Sequence, residues 1–170
     1  MRRLIVFLII GAFFSAANAL ALPADKPLHQ MVHRAWSTEE GLPQVSVLSM
    51  LQDHQGYLWL GTQEGLARFD GVQFEVFNQY NFAALQGDTI NTLLEDSKKR
   101  LWIGTTSGGM TMMQGELTQH YGVESGLPSG KVWDILEHSD GSIWVAIDGG
   151  GVARFNGSGF EIFGPDEGLT

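Results

Sequence analysis

The chain contains no cysteine, which excludes a disulfide framework, a thiolate metal site and a thiol nucleophile within these 170 residues. Cations are scarce: 10 Lys and Arg stand against 19 Asp and Glu, for a formal net charge of −9, and their one cluster is Lys98-Lys99-Arg100. A nucleic-acid surface needs a basic face to collect phosphates, so that class is excluded as a partner. Proline is limited to 5 residues, and a long apolar run occurs once, at the N-terminus.

That run has the build of a secretory signal peptide. A basic start (Arg2, Arg3) precedes an apolar core, Leu4–Phe14, and a small-residue end, Ala17-Asn18-Ala19, which predicts cleavage after Ala19. The core is short of the roughly 20 residues that a membrane span needs. An uncleaved anchor is the alternative, and export follows under both readings. Residues 20–30 read as a linker.

Beyond the linker the sequence repeats itself. Tyr57-Leu58-Trp59-Leu60-Gly61-Thr62, Arg100-Leu101-Trp102-Ile103-Gly104-Thr105 and Ser142-Ile143-Trp144-Val145-Ala146-Ile147 place Trp at intervals of 43 and 42 residues. A period of about 40–50 residues built from short strands is the signature of propeller blades. Gly41-Leu42-Pro43 and Gly126-Leu127-Pro128 start 18 residues before their Trp, with Ala84-Leu85-Gln86 at the same offset in the second unit. Asp53 and Asp96 stand six residues before theirs, and His138 takes that place in the third. Gly65-Leu66-Ala67-Arg68-Phe69-Asp70-Gly71 is answered by Gly151-Val152-Ala153-Arg154-Phe155-Asn156-Gly157, and loosely by Gly109-Met110-Thr111-Met112-Met113-Gln114-Gly115.

Each unit reads as four strands, about Val45–Gln52, Tyr57–Gly61, Leu66–Phe69 and Gln73–Phe77 in the first. Asp70-Gly71, Asp140-Gly141 and Asn156-Gly157 supply hairpin turns that require positive φ. The second strand is apolar on both faces, as expected of a sheet sandwiched between neighbours. The fold class is therefore all-β, a β-propeller of about three four-stranded blades at 41–78, 84–121 and 126–163. Trp36 precedes Gly41 by the five residues that separate Tyr121 from Gly126 and Phe163 from Gly168, so Met31–Trp36 is expected to be a lone closing strand, which would remove open sheet edges. Residues 166–170 read as the start of a further unit. Three blades fall short of the usual four to eight, and the expectation is an incomplete ring, part of a longer protein.

Catalytic chemistry is thin. His29, His33, His54, His120 and His138 lack close metal-ligand spacing and read as surface or packing residues. Gly108-Gly109 and Gly149-Gly150-Gly151 lack the helix and the Lys-Ser/Thr of a phosphate loop, and lie where a hairpin is due. Trp133-Asp134 is in a first strand, at the place of Leu48-Ser49 and Asn91-Thr92, and does not mark a WD40 repeat. Glu39-Glu40 and Asp166-Glu167 recur at the unit boundary as solvated loop faces. Met110, Met112 and Met113 read as core and edge packing. Catalytic residues, metal and cofactors are accordingly expected to be none.

The string Glu-Gly-Leu-Pro followed by Asp-x-x-Gly-x-Leu-Trp-Leu-Gly-Thr-x-x-Gly-Leu-Ala-Arg-Phe-Asp-Gly, from Glu40 to Gly71, resembles the two-component regulator propeller repeat, over about residues 30–170. The resemblance implies an exported sensor of one or two seven-bladed propellers, a membrane-proximal β-sandwich, a membrane helix and a cytoplasmic histidine kinase or diguanylate cyclase. It further implies a membrane-bound homodimer on the periplasmic side of a Gram-negative inner membrane, with a small-molecule or glycan ligand. The segment itself would be a non-catalytic sensing module, its partners the remaining blades and the membrane-proximal domain. An exported propeller-type polysaccharide lyase or glycosidase is the alternative; it would need carboxylates or a His/Tyr base converging on the ring centre.

Two residue sets follow. Trp59, Trp102 and Trp144 are expected to be structural, since they recur at one strand position. Ligand contacts are expected on the loops entering each first strand, where the repeats differ: Gln44, Asp88, Ser129 and Lys131.

Overall fold

Among the described residues, twelve short strands make three four-stranded antiparallel sheets, each a simple meander. A computed structural model describes residues 34–164 and Gly168. The first sheet holds β1 (Val47–Gln52), β2 (Leu58–Thr62), β3 (Gly65–Phe69) and β4 (Phe74–Phe77). The second holds β5 (Ile90–Glu95), β6 (Leu101–Thr105), β7 (Met110–Gln114) and β8 (Leu117–Tyr121). The third holds β9 (Val132–Glu137), β10 (Ile143–Ile147), β11 (Gly151–Phe155) and β12 (Phe160–Phe163). Strand β5 packs beside both β1 and β9, so the first strand of each sheet lies on a common inner edge and the fourth lies outermost. This is the propeller arrangement, with three blades and an incomplete ring.

The register shows why the motifs recur. Trp59, Trp102 and Trp144 pair across β2–β3, β6–β7 and β10–β11 with Arg68, Met112 and Arg154. Their indoles lie against the outer-strand aromatics Phe77, Tyr121 and Phe163, with ring centroids 5.7, 6.0 and 5.2 Å apart. Each Trp therefore ties the second strand of its blade to the fourth.

Blades then stack face to face. Trp59 and Leu66 of the first blade meet Ile90, Leu101 and Ile103 of the second, with Leu85 wedged in from the boundary loop. Trp102 and Met110 of the second meet Val132, Ile135, Ile143 and Val145 of the third, with Leu127 in the same position. Leu85 and Leu127 are thus inter-blade wedges, while Leu42 packs against Leu60 and Ala67 of the first blade itself. Met110 and Met112 are core residues, as expected. Trp102 is fully buried and Trp59 nearly so, whereas Trp144 is half-buried, because the face that carries it meets no fourth blade among the described residues.

The aspartate six residues before each Trp has a structural purpose. Asp53 Oδ2 accepts the Trp59 indole N–H at 2.8 Å, and Oδ1 takes the amides of Gln55 and Tyr57 at 2.9 and 3.0 Å. Asp96 repeats this with Trp102 at 2.8 Å and with the amides of Lys98 and Arg100, both at 2.9 Å. One carboxylate thereby closes the first hairpin turn and satisfies a buried indole. In the third blade His138 replaces the aspartate, and the indole of Trp144 donates instead to Ser142 Oγ at 3.0 Å. That hydroxyl in turn donates to Asp140 at 2.5 Å.

Arginine placement shows a similar exchange. Arg68 and Arg154 lie over Trp59 and Trp144, at 5.7 and 5.8 Å from the ring centroids. The second blade has Met112 at that position, and Arg100 comes from the turn to lie 4.9 Å from the Trp102 ring. Arg100 also pairs through Nε with Asp96 at 2.5 Å, so the Lys98-Lys99-Arg100 cluster is only partly a solvated turn. Burial alone would raise the Asp96 pKa, but hydrogen bonds from Trp102 and Arg100 outweigh it and hold the carboxyl below its ordinary value.

Several expectations shift. The first strand begins at Val47 rather than Val45, because Gln44 Oε1 captures the Ser46 amide, a side-chain bond that competes with the sheet ladder. Of the expected closing strand, Met31–His33 lie outside the described residues. Arg34–Trp36 carry no strand, and Trp36 instead packs edge-on against Phe69 with centroids 5.0 Å apart. Glu40, half of an acidic pair, completes a capping box by accepting the Ser37 amide and hydroxyl, both at 2.7 Å. The signal peptide, its cleavage site at Ala19 and the linker lie outside the described residues. In the 166–170 segment only Gly168 is described, with φ 94°, matching Gly41 at 102° and Gly126 at 97°.

Candidate ligand-binding rim

The loops entering β1, β5 and β9 meet the β2–β3, β6–β7 and β10–β11 hairpins at one end of the blades. In the first blade Gln44 Nε2 donates to Gln63 Oε1 at 3.3 Å. The first blade joins the second where Thr89 Oγ1 donates to the Gln63 carbonyl at 3.1 Å. Within the second, the Thr106 amide donates to the Thr89 carbonyl at 3.0 Å. The Gly109 amide then reaches the Gly130 carbonyl of the third blade at 2.7 Å. A Cβ on Gly130 would stand 2.2 Å from the Ser107 carbonyl oxygen, so this loop crossing requires glycine. The result is a stitched polar rim running across all three blades.

All four expected contact residues lie on this rim, and most are engaged locally. Asp88 Oδ1 accepts the Gln79 amide at 2.8 Å. Ser129 Oγ donates to the Asp148 carbonyl at 3.2 Å and accepts the Lys131 amide at 3.3 Å. Lys131 Nζ lies 3.4 Å from Asp148 Oδ1 and 4.0 Å from the centre of the Trp133 ring. The rim thus brings Ser129 and Lys131 into one cluster and leaves Gln44 and Asp88 on the other two blades.

Sequence reading missed four rim residues. Trp133 is 49 % exposed and donates its indole N–H to Asp148 Oδ1 at 3.0 Å. It is the unpaired residue of a bulge, since Asp134 faces Ala146 and Val132 faces Ile147. Leu48 and Asn91 are the unpaired residues of the corresponding bulges in β1 and β5. A bulge re-aims a side chain out of the sheet, so one inner-strand position presents Leu, Asn or Trp from blade to blade. The signal was visible as the place where Trp133 replaces Leu48 and Asn91, but only the register shows it to be a bulge. Tyr80, 87 % exposed, lines a shallow groove of about 310 Å³ with Gln63, Glu64, Asn78 and Asp88.

Among the described residues, no three His, Cys, Asp or Glu side chains gather in an arrangement that would hold a metal ion. His54 is engaged between blades, its amide donating to Glu95 Oε2 at 2.9 Å and its ring bonded to Glu95 Oε1. No helix of the described residues is long and apolar enough to cross a membrane.

Comparison with known proteins adds to this geometry. The two-component regulator propeller repeat matches at residues 41–64, 84–107 and 126–149, each match running from a boundary loop through the second strand to the rim hairpin. A histidine kinase, P4, of Formosa agariphila is 35 % identical over 77 residues, which is 45 % of this chain and 5 % of that relative. The extracellular domain assigned to a hybrid two-component system of B. thetaiotaomicron has a TM-score of 0.71 at 23 % identity, over 81 % of this chain and 19 % of that one. Virginiamycin B lyase of Staphylococcus aureus has a TM-score of 0.57 at 16 % identity, over 72 % of this chain and 42 % of the lyase. At such identities the two structures share the propeller fold and no more is carried over. The chain spans about a twentieth of the curated relative and a fifth of the first of these structures. The two-component regulator propeller repeat thus matches three times, once in each blade.

Proposed function

We propose that this chain is the ligand-sensing part of an exported propeller in a membrane-bound signal-transduction receptor. The observation that carries the reading is a constant frame with a varied rim: the three blades share register, Trp and hairpins, while the rim changes from Gln44 and Leu48 to Asp88 and Asn91 to Lys131 and Trp133. Variable groups on a rigid repeated scaffold are how one architecture acquires a specific site. The repeat family and the histidine kinase relative support a two-component output. In this reading a histidine kinase or diguanylate cyclase lies beyond the membrane, and the receptor is a homodimer facing a Gram-negative periplasm.

The segment acts by binding rather than by catalysis in this reading. The rim offers hydroxyl, amide, carboxylate and ammonium groups beside two exposed aromatic rings, a set suited to a polyhydroxylated ligand such as a glycan fragment. The test is calorimetric titration of the receptor's whole exported part with a panel of defined plant and algal oligosaccharides. Saturable binding to one of them, weakened at least tenfold by Lys131→Ala, is expected. Cleavage of a panel member, with new reducing or unsaturated ends, would instead support the lyase or glycosidase alternative.

A further inference from the structure

The inter-blade contact is made twice in this chain and is half-built a third time. In both finished copies a Trp-bearing face receives a branched residue at the start of the next blade's inner strand. A Cβ on Gly61 would lie 2.8 Å from Ile90 Cγ2, and one on Gly104 would lie 2.7 Å from Val132 Cγ1. The absent methyl is therefore what lets Ile90 and Val132 seat. Each contact is also latched at the opposite end of the blade by a carboxylate. Glu95 Oε2 accepts the His54 amide at 2.9 Å, and Glu137 accepts the Ser97 amide at 2.8 Å and its hydroxyl at 2.5 Å.

The third Trp-bearing face is open. Leu136 is 60 % exposed, and with Trp144, Ala146 and Val152 it lines an apolar hollow of about 190 Å³. Ser139, which holds the place of His54 and Ser97, is exposed as well. A position that is glycine in both finished copies differs here: Ala146 replaces Gly61 and Gly104, so the methyl that those contacts exclude is present.

We propose that the Trp144 face is an interaction surface for one further blade of the same build, with a changed code. Its inner strand carries Gly, Ala or Ser where β5 has Ile90 and β9 has Val132, and a carboxylate where they have Glu95 and Glu137. The same code turns away a second copy of this chain. The first blade has the branched Val47 at the coded position and the uncharged Gln52 at the latch, so head-to-tail pairing would drive Val47 into the Ala146 methyl, and overpacking of this kind is destabilising. The contact is the continuation of an interface already formed twice within the chain. It rests on the blade packing and not on the sensing role.

The test extends the whole chain with a copy of residues 126–164 placed after Glu167, in two forms. One keeps the added copy's valine, and the other carries Val132→Ala within that copy. The alanine form should protect the β10 amides from hydrogen exchange and should have a folded-to-unfolded ratio at least about tenfold above that of the valine form. Ala146→Gly in the valine form should close the gap. Equal stability of the two forms, or β10 amides unprotected in both, would overturn the proposal. So would a dimer of the unextended chain, seen by light scattering, that is lost on Trp144→Glu.

Discussion

The indole N–H of Trp102 and the carboxylate of Asp96 meet at 2.8 Å inside a blade where both side chains are buried. That single carboxylate also takes two turn amides and the Arg100 guanidinium. Asp96→Ala would leave four donors without their acceptor, the indole among them buried. It should cost about 3 kcal/mol in urea unfolding followed by Trp fluorescence. Ser142→Ala, which removes the acceptor of the half-buried Trp144, should cost about 1 kcal/mol.

Acid should act through the same carboxylate. Because the folded-state pKa of Asp96 lies below its ordinary value near 3.8, the stability it contributes is fully present above that ordinary value. It is lost as pH falls through the lower, folded value. Unfolding midpoints should fall as pH drops below that ordinary value, and Asp96→Asn should flatten that fall at the expense of stability at neutral pH. An unchanged slope in the Asn variant would remove Asp96 from the account. Asp140 is also held low, first by the Ser142 hydroxyl, but it is exposed and its share is screened.

Lys99 has φ 64° and is the one non-glycine residue at positive φ among the described residues. Its counterparts are Gly56 at 93° and Gly141 at 81°. The left-handed conformation disfavours a Cβ by roughly 1–2 kcal/mol, part of which glycine returns as unfolded-chain entropy. Lys99→Gly should therefore stabilise by about 0.5–1 kcal/mol, read as a higher urea midpoint. Gly141→Lys should shift the midpoint the other way.

Truncating the repeated tryptophans should separate two environments. Trp102→Ala empties a fully buried site and should cost about 3–5 kcal/mol. Trp144→Ala, on the uncovered face, should cost less than half of that in this chain and approach it once the face is covered. Circular dichroism melts of the two variants, with and without an added blade, would measure the difference.

Much of the architecture was legible because a blade writes its own punctuation. The Trp period, the Asp-Gly and Asn-Gly turns and the two-sided second strand pointed to three four-stranded sheets, and in the first blade they located each strand to within two residues. The carboxylate at Asp53 and Asp96 was seen as a repeat position, but its target was not, since an indole acceptor six residues away depends on how the turn closes. Trp133 was read as a strand residue. Its outward aim comes from a bulge, which is a property of pairing register and leaves little local trace. The boundary-loop leucines Leu85 and Leu127 were read as boundary marks and are in fact wedges between sheets, a role that only the neighbouring blade defines. The rim residues Gln44, Asp88 and Ser129 were found by their variability, while their local hydrogen bonds could not be foreseen from composition.

The outermost hairpins stand apart from all of this. Gly71, Gly115 and Gly157 sit at the turns joining third and fourth strands, and a Cβ added to any of them would meet nothing within 4 Å. Stacking and rim stitching lie elsewhere in the blade, and the tips only border the inter-blade grooves, Gly115 beside His54 and Glu95 and Gly157 beside Lys98 and Arg100. These three tips are thus places where sequence can lengthen at small cost. A lineage could graft a loop, a glycan-bearing segment or a whole small domain onto the circumference without disturbing how the blades stack.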